Sequence, residues 1–170
     1  MGRLFILVGP SGSGKSTVAK FMEESGVERI VTYTSRPIRE GEVCGKDYHF
    51  VDESFFESQK DQFLEINSYN NWLYGTMIEE RKNDKCIILT PAGARIAKKR
   101  YPDAKIVYLA TDRREALMRI LKRGDNVDEA IRRNLSDVGM FDGFENEADI
   151  VVDTEPWSAK FIAGMLYAYS

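Results

Sequence analysis

Histidine, cysteine and proline are scarce in this chain of 170 residues, which holds 1, 2 and 5 of them. The single histidine, His49, cannot build a multi-histidine metal site, and it reads as a partly exposed bystander more readily than as a lone base. Cys44 and Cys86 have neither metal-ligand spacing nor a disulfide framework around them, so both are expected to be reduced thiols. No apolar run approaches the ~20 residues of a membrane span. Leu4 to Val8 gives way at once to a glycine-rich loop, too short for a signal-peptide core. Ile6 stands where a myristoylated N-terminus would carry Ser or Thr. Charge of one sign is lacking too: 24 Lys+Arg against 27 Asp+Glu leave −3, unlike a nonspecific binder of nucleic acid or membrane surfaces. These absences imply a cytoplasmic globular protein. At 43 % hydrophobic and 30 % charged, the length suits one domain with one real core.

What is present begins with Leu4-Phe5-Ile6-Leu7-Val8, apolar without alternation, the pattern of a parallel strand buried on both faces. A helix follows from Ser16 to about Glu24, with Val18, Phe21 and Met22 on one side and Gly26 as a stop. Ile30 to Tyr33 predicts a second short strand. From about Thr34 to Asn83 turn residues, charges and aromatics predominate, with strand-like pieces at Tyr48–Val51 and Phe63–Ile66. This stretch reads as an insertion. Cys86–Leu89 and Lys105–Leu109 are again buried-strand runs, joined by a helix from about Ala92 to Arg100, which implies right-handed parallel crossovers. Helices are expected at Arg113–Lys122, Asp128–Val138 and Ser158–Tyr167, with a last strand at Ile150–Val152. The run Lys98-Lys99-Arg100 complements a helix C-terminus rather than marking a ligand site.

Gly9-Pro10-Ser11-Gly12-Ser13-Gly14-Lys15-Ser16-Thr17 contains G-x-x-x-x-G-K-[ST], the phosphate-binding P-loop, between the required strand and the required helix. Glycines let backbone N–H groups turn inward and a phosphate come close. The helix N-terminus presents its positive end to the same anion. Lys15 neutralises β/γ oxygens, and the Ser16 hydroxyl is a natural Mg²⁺ ligand. In the insertion, Arg36 and Arg39 stand three apart among hydroxyls, near Tyr48, and make a possible phosphate clamp; a solvated charged loop explains them as well. Glu65 within Phe63-Leu64-Glu65, and Thr76 close behind Tyr74, could read a purine edge, though the signal is weak alone.

Taken together, the P-loop, the stretch T-S-R-P-I-R-E-G-E-V-C-G-K-D-Y, the F-L-E and the Y-G-T resemble the guanylate kinase family over most of the chain, in order and spacing. The resemblance implies a P-loop α/β fold: a parallel five-stranded core with helices on both faces (residues 1–31 and 84–170), a nucleotide-monophosphate insert (32–83) and a helical lid (about 119–138). It implies transfer of a phosphoryl group from ATP, with Mg²⁺, to GMP or dGMP. Gly9 to Thr17 would bind ATP. Thr32 (where the family often has serine), Arg36, Arg39, Tyr48 and Tyr74 would hold the GMP phosphate, Glu65 and Thr76 would read guanine, and Glu42 shares that pocket. Lys15 and the lid's Arg123 would act on the transferring group. Asn134 falls at the second lid arginine, so Arg133 or Arg132 must substitute. One departure stands out: Ile88 and Thr90 occupy positions where the family has acidic residues. The alternatives are a ribosyl bisphosphate or other nucleotide as substrate, or a noncatalytic module that binds a phosphorylated partner. A nucleic-acid polymer or a membrane is not an expected partner.

Overall fold

Apolar strands without alternation can be satisfied only inside a sheet covered on both faces, and that is where they lie. The computed structural model describes residues 2–69, 71–77 and 82–169. In chain order the elements are β1 (Leu4–Val8), α1 (Lys15–Glu24), β2 (Glu28–Arg29), β3 (Tyr33–Thr34), β4 (His49–Phe50), α2 (Glu53–Ser58), β5 (Phe63–Tyr69) and β6 (Trp72–Met77). There follow β7 (Lys85–Ile88), α3 (Pro91–Arg100), β8 (Lys105–Ala110), α4 (Arg113–Lys122), α5 (Val127–Ser136), β9 (Ile150–Asp153) and α6 (Ala159–Ala168).

Five strands form a parallel sheet in the order β2-β7-β1-β8-β9. The side chains of β1 divide by the two-residue period of a strand. Phe5 and Leu7 enter one core with Val18 and Met22 of α1 and Ile162 and Leu166 of α6. Leu4, Ile6 and Val8 enter the other, with Ala94 and Ala97 of α3. Helices thus cover both faces, as the sequence implied. Among the described residues, no helix is long and apolar enough to cross a membrane.

The segment between β2 and β7 builds a second, four-stranded mixed sheet, β4-β3-β6-β5. The strand expected at Ile30–Tyr33 is divided here. Glu28–Arg29 pairs with β7, whereas Tyr33–Thr34 pairs with β4 and β6, because the chain crosses from one sheet to the other between them. The strand β6 and the helix α2 were not anticipated as elements. They close an aromatic core in which the Phe56 and Phe63 rings stack at 5.2 Å and Tyr33 meets Phe63 edge-on at 5.6 Å. Gly75 faces that cluster, and a Cβ there would lie 2.7 Å from the Phe63 ring.

Candidate active site

The P-loop leaves β1 at the C-terminal edge of the parallel sheet, where α/β folds place ligands. Its shape depends on two glycines in the left-handed region, Gly12 (φ 85°) and Gly14 (φ 91°). Gly12 also approaches α4 so closely that a Cβ would stand 2.3 Å from the Ala116 carbonyl oxygen. Lys15 opens α1 and folds back over the loop, donating from Nζ to the carbonyl oxygens of Gly9 (2.7 Å) and Pro10 (2.8 Å). Burial lowers its pKa to about 8; Asp137 opposes that shift and Arg133 adds to it. The Ser11 N–H donates to Asp137 Oδ2 at 2.7 Å, so a carboxylate from the end of α5 meets the loop as an anion would.

A cavity of about 250 Å³ runs from this loop to the second sheet. The loop contributes Gly9, Ser11, Gly12, Lys15 and Ser16; Pro10, Ser13, Gly14 and Thr17 support it without lining the cavity. Opposite stand Thr32, Arg36, Arg39, Tyr48 and Tyr74, with Glu65 farther along the wall. Arg36 is buried, with only 5 % of its surface exposed. Its guanidinium lies 5.4 Å from the centroid of the Tyr48 ring and donates to Glu42 at 2.7 Å. Glu42 does not line the cavity itself. Burial pushes its carboxyl up, but bonds from Arg36 and from the Arg39 N–H outweigh that and hold it below its ordinary value. It is the support of the two arginines rather than a wall of the pocket. Thr76 is likewise buried behind Glu65: its hydroxyl influences that carboxyl without forming a well-aligned bond.

The segment of α4 and α5 places Arg123, Arg132 and Arg133 on the same cavity. Asn126 caps α5 by accepting from the Glu129 N–H, and Glu129 gathers Arg132, Arg133 and, from the insert, Arg39. Asp125 takes Arg123 and Arg133. Asn134 points elsewhere, bonding Arg113 of α4 at 2.8 Å. Of the two substitutes for the second lid arginine, Arg133 is the more enclosed, its side chain 14 % exposed against 40 % for Arg132. Ile88 and Thr90 do line the cavity, and neither brings a carboxylate. Thr90 is instead the N-cap of α3, accepting from the Gly93 N–H at 3.2 Å.

Three polar cavity residues were not foreseen, Asn67, Tyr69 and Asp137, beside the apolar Leu89, Met140 and Phe141. A signal existed for the first two, since residues two and four beyond Glu65 share its face of a strand. Nothing in the local sequence marks Asp137. Among the described residues no cluster of three or more His, Cys, Asp or Glu could hold a metal. The donor set fits a divalent ion that arrives with nucleotide phosphates and takes one protein ligand, the Ser16 hydroxyl.

A family model described as guanylate kinase matches residues 1–155. The chain is 40 % identical over 143 residues to guanylate kinase of Helicobacter pylori (strain ATCC 700392 / 26695), covering 78 % of this chain and 69 % of that protein. It is 38 % identical over 144 residues to a guanylate kinase of Thermus thermophilus, covering 79 % of this chain and 66 % of that protein. The crystal structure of guanylate kinase from Anaplasma phagocytophilum superposes with a TM-score of 0.71 at 21 % identity, over 97 % of this chain and 82 % of that one. The last is a likeness of fold.

Proposed function

Since the chain belongs to the guanylate kinase family, we propose that it transfers the γ-phosphoryl group of ATP to GMP or dGMP, yielding ADP and GDP or dGDP. The observation that carries this reading is a single cavity with a P-loop at one end and, at the other, a pair of arginines, Arg36 buried and Arg39 half-buried, beside the buried carboxylate of Glu65. An oxygen of the acceptor phosphate attacks the γ-phosphorus while the bond to the β-bridging oxygen breaks. No protein base is required, so the protein's work is positioning and charge neutralisation.

In this reading Lys15 exchanges two loop carbonyls for β/γ oxygens, and Arg123 and Arg133 meet the charge that develops on the transferring group. Arg36, Arg39, Thr32, Tyr48 and Tyr74 hold the acceptor phosphate. Glu42 keeps Arg36 in place. The Ser16 hydroxyl would hold Mg²⁺ together with the nucleotide phosphates, and the ion would supply further neutralisation of the phosphate oxygens. Glu65 accepts from guanine N1–H and the 2-amino group, with Thr76 behind it. Adenine turns an N1 lone pair toward that carboxylate, and a site built for donors rejects it by up to ~10⁴-fold. The partners are mononucleotides rather than a nucleic-acid polymer, and the setting is the cytoplasm, in keeping with two free thiols.

A ribosyl bisphosphate substrate is favoured by one feature, the absence of carboxylates at Ile88 and Thr90, but it has no purine edge with paired N–H donors for Glu65 to read. A coupled ADP-release assay over GMP, dGMP, AMP and a ribosyl bisphosphate decides between them. GMP is expected to exceed AMP by at least ~10²-fold in kcat/KM. Equal turnover of AMP or of the ribosyl bisphosphate overturns the guanine reading.

A further inference from the structure

Glu65 and Asn67 leave β5 on the same face, and the Asn67 Nδ2 donates a hydrogen bond to Glu65 Oε2. Both line the cavity. Behind them stands the first turn of α3: a Cβ on Gly93 would lie 3.3 Å from Glu65 Oε2 and 3.4 Å from Asn67 Nδ2. Across the hairpin, Glu65 pairs in register with Thr76. The carboxylate is therefore enclosed by β6, by Asn67 and by α3, with the cavity as its open side. An ionised carboxylate has two oxygens and about four acceptor directions. Without a donor bonded to it, nothing in these walls would choose one rotation of the group over another.

We propose that Asn67 is a positioning residue for base selection, pinning the rotation of the Glu65 carboxylate so that its free acceptor directions face the purine edge. The inference rests on the reading of Glu65 as the group that meets the base. The chemistry of the walls adds a second consequence. Burial pushes the Glu65 carboxyl above its ordinary value, and Thr76 and Asn67 pull it back. The groups packed against it are uncharged: Thr76 on β6, Asn67 on β5, and the Thr90–Gly93 turn of α3. The cations of the P-loop, of the Arg36–Arg39 loop and of the lid, together with Asp137, share the cavity but are not among the causes of that shift.

Loss of the Asn67 donor thus leaves a carboxyl held from the Thr76 side alone, less fixed in rotation, and one that protonates at higher pH. A neutral carboxyl changes the code. Its O–H donates to an acceptor such as adenine N1 while its C=O accepts from the 6-amino group, the pattern that the ionised form rejects. Asn67 keeps guanine preferred by preventing that form.

The test is Asn67→Leu, similar in size and without a donor, assayed from pH 5.5 to 9 with GMP and with AMP. The acidic limb of kcat/KM for GMP should move up by about one pH unit, the size of one lost charge-assisted hydrogen bond. The GMP/AMP ratio should fall about tenfold at the acid end and recover at the alkaline end, while KM for ATP stays the same. Asn67→Gln, which keeps the amide donor, should restore part of the limb. Should Asn67→Leu not fold, as judged by its thermal transition, Asn67→Ala carries the same expectation. An unmoved limb and ratio in the folded variant overturn the inference. Glu65→Gln, run in parallel, separates the two readings. If it leaves the GMP/AMP ratio intact, the assignment of Glu65 to the base is wrong; if it collapses the ratio while Asn67→Leu does not, only the role of Asn67 falls.

Discussion

At the proposed donor end of the cavity, an anion would be met by backbone: a glycine-rich loop, two of its glycines in left-handed conformations, and the first turn of α1, with Lys15 as the loop's cation. At the proposed acceptor end it would be met by side chains. Arg36 and Arg39 are held by carboxylates from different parts of the chain, Glu42 six residues from Arg36 and Glu129 ninety residues from Arg39. Backbone recognition is contiguous in sequence and tolerates changes of neighbouring side chains. Side-chain recognition depends on partners that only the fold brings together. The two ends should therefore fail differently when altered, and each should fail without the other.

Lys15→Ala should produce the largest effect. The variant is expected to lose at least ~10²-fold in kcat, because no other P-loop side chain carries positive charge. GMP binding, measured by calorimetry, should persist. Retention of more than about a tenth of wild-type kcat, a loss under ~1.4 kcal/mol, would show that the loop works without its cation.

Arg39→Ala attacks the other end. Charge-assisted bonds of this kind contribute about 1.5–3 kcal/mol, so KM for GMP should rise roughly tenfold or more. Steady-state kinetics with each substrate varied in turn should leave KM for ATP nearly unchanged. Equal damage to both substrates would erase the distinction between the two ends. It would show instead that the Arg39–Glu129 pair governs the whole lid.

A pH profile tests the donor end alone. In the nucleotide-free protein, burial lowers Lys15 to about 8, so its positive charge is lost as pH rises through that value. Initial rates at low ATP should fall toward tenfold per pH unit above that point, as for loss of one essential proton. Bound phosphates restore the preference for the charged form, so kcat at saturating ATP should stay level over the same range. A flat profile of kcat/KM for ATP up to pH 9.5 would place the lysine in a more solvated setting.

The smallest effect is expected at Asp137, where the lid touches the donor loop. Its carboxylate accepts the Ser11 N–H, and Asp137→Ala frees that donor for phosphate. KM for ATP at pH 6.5 should fall by a few-fold, the range of a single hydrogen bond. Asp137 also raises the Lys15 pKa, so the same variant should move the Lys15 limb to lower pH. A rise in KM for ATP would identify Asp137 as a support of the loop rather than a competitor for its amides.

Where local chemistry suffices, the sequence could be read directly. The P-loop, the buried runs at β1, β7 and β8, and the helix Arg113–Lys122 are each specified by their own composition and period. Arg36, Arg39, Tyr48 and Glu65 were legible as chemistry, and the resemblance of the motifs gave them roles. Legibility ended where one segment serves two sheets or where an element is short. Ile30 to Tyr33 looked like one strand because its residues are apolar, β-branched or aromatic. The pairing falls instead at either end of that run, at Glu28–Arg29 and at Tyr33–Thr34, each with different partners. Trp72–Met77 lacks clean alternation because Gly75 must lie flat against Phe63 and Phe56.

The amino-acid sequence by itself determined that this is a P-loop α/β protein with paired arginines between β2 and β7 and an arginine-rich stretch between β8 and β9. Glycine spacing, apolar period and charge are local properties, and they act over a few residues. Tertiary structure alone decided which arginine of the lid is enclosed, that Glu42 and Glu129 hold the clamp, and that Asn67 pins Glu65 against α3. Those outcomes depend on hydrogen bonds and packing between groups distant in sequence or turned by a strand's pleat. Such contacts acquire a direction only where the two sheets and the helices α4 and α5 surround one cavity.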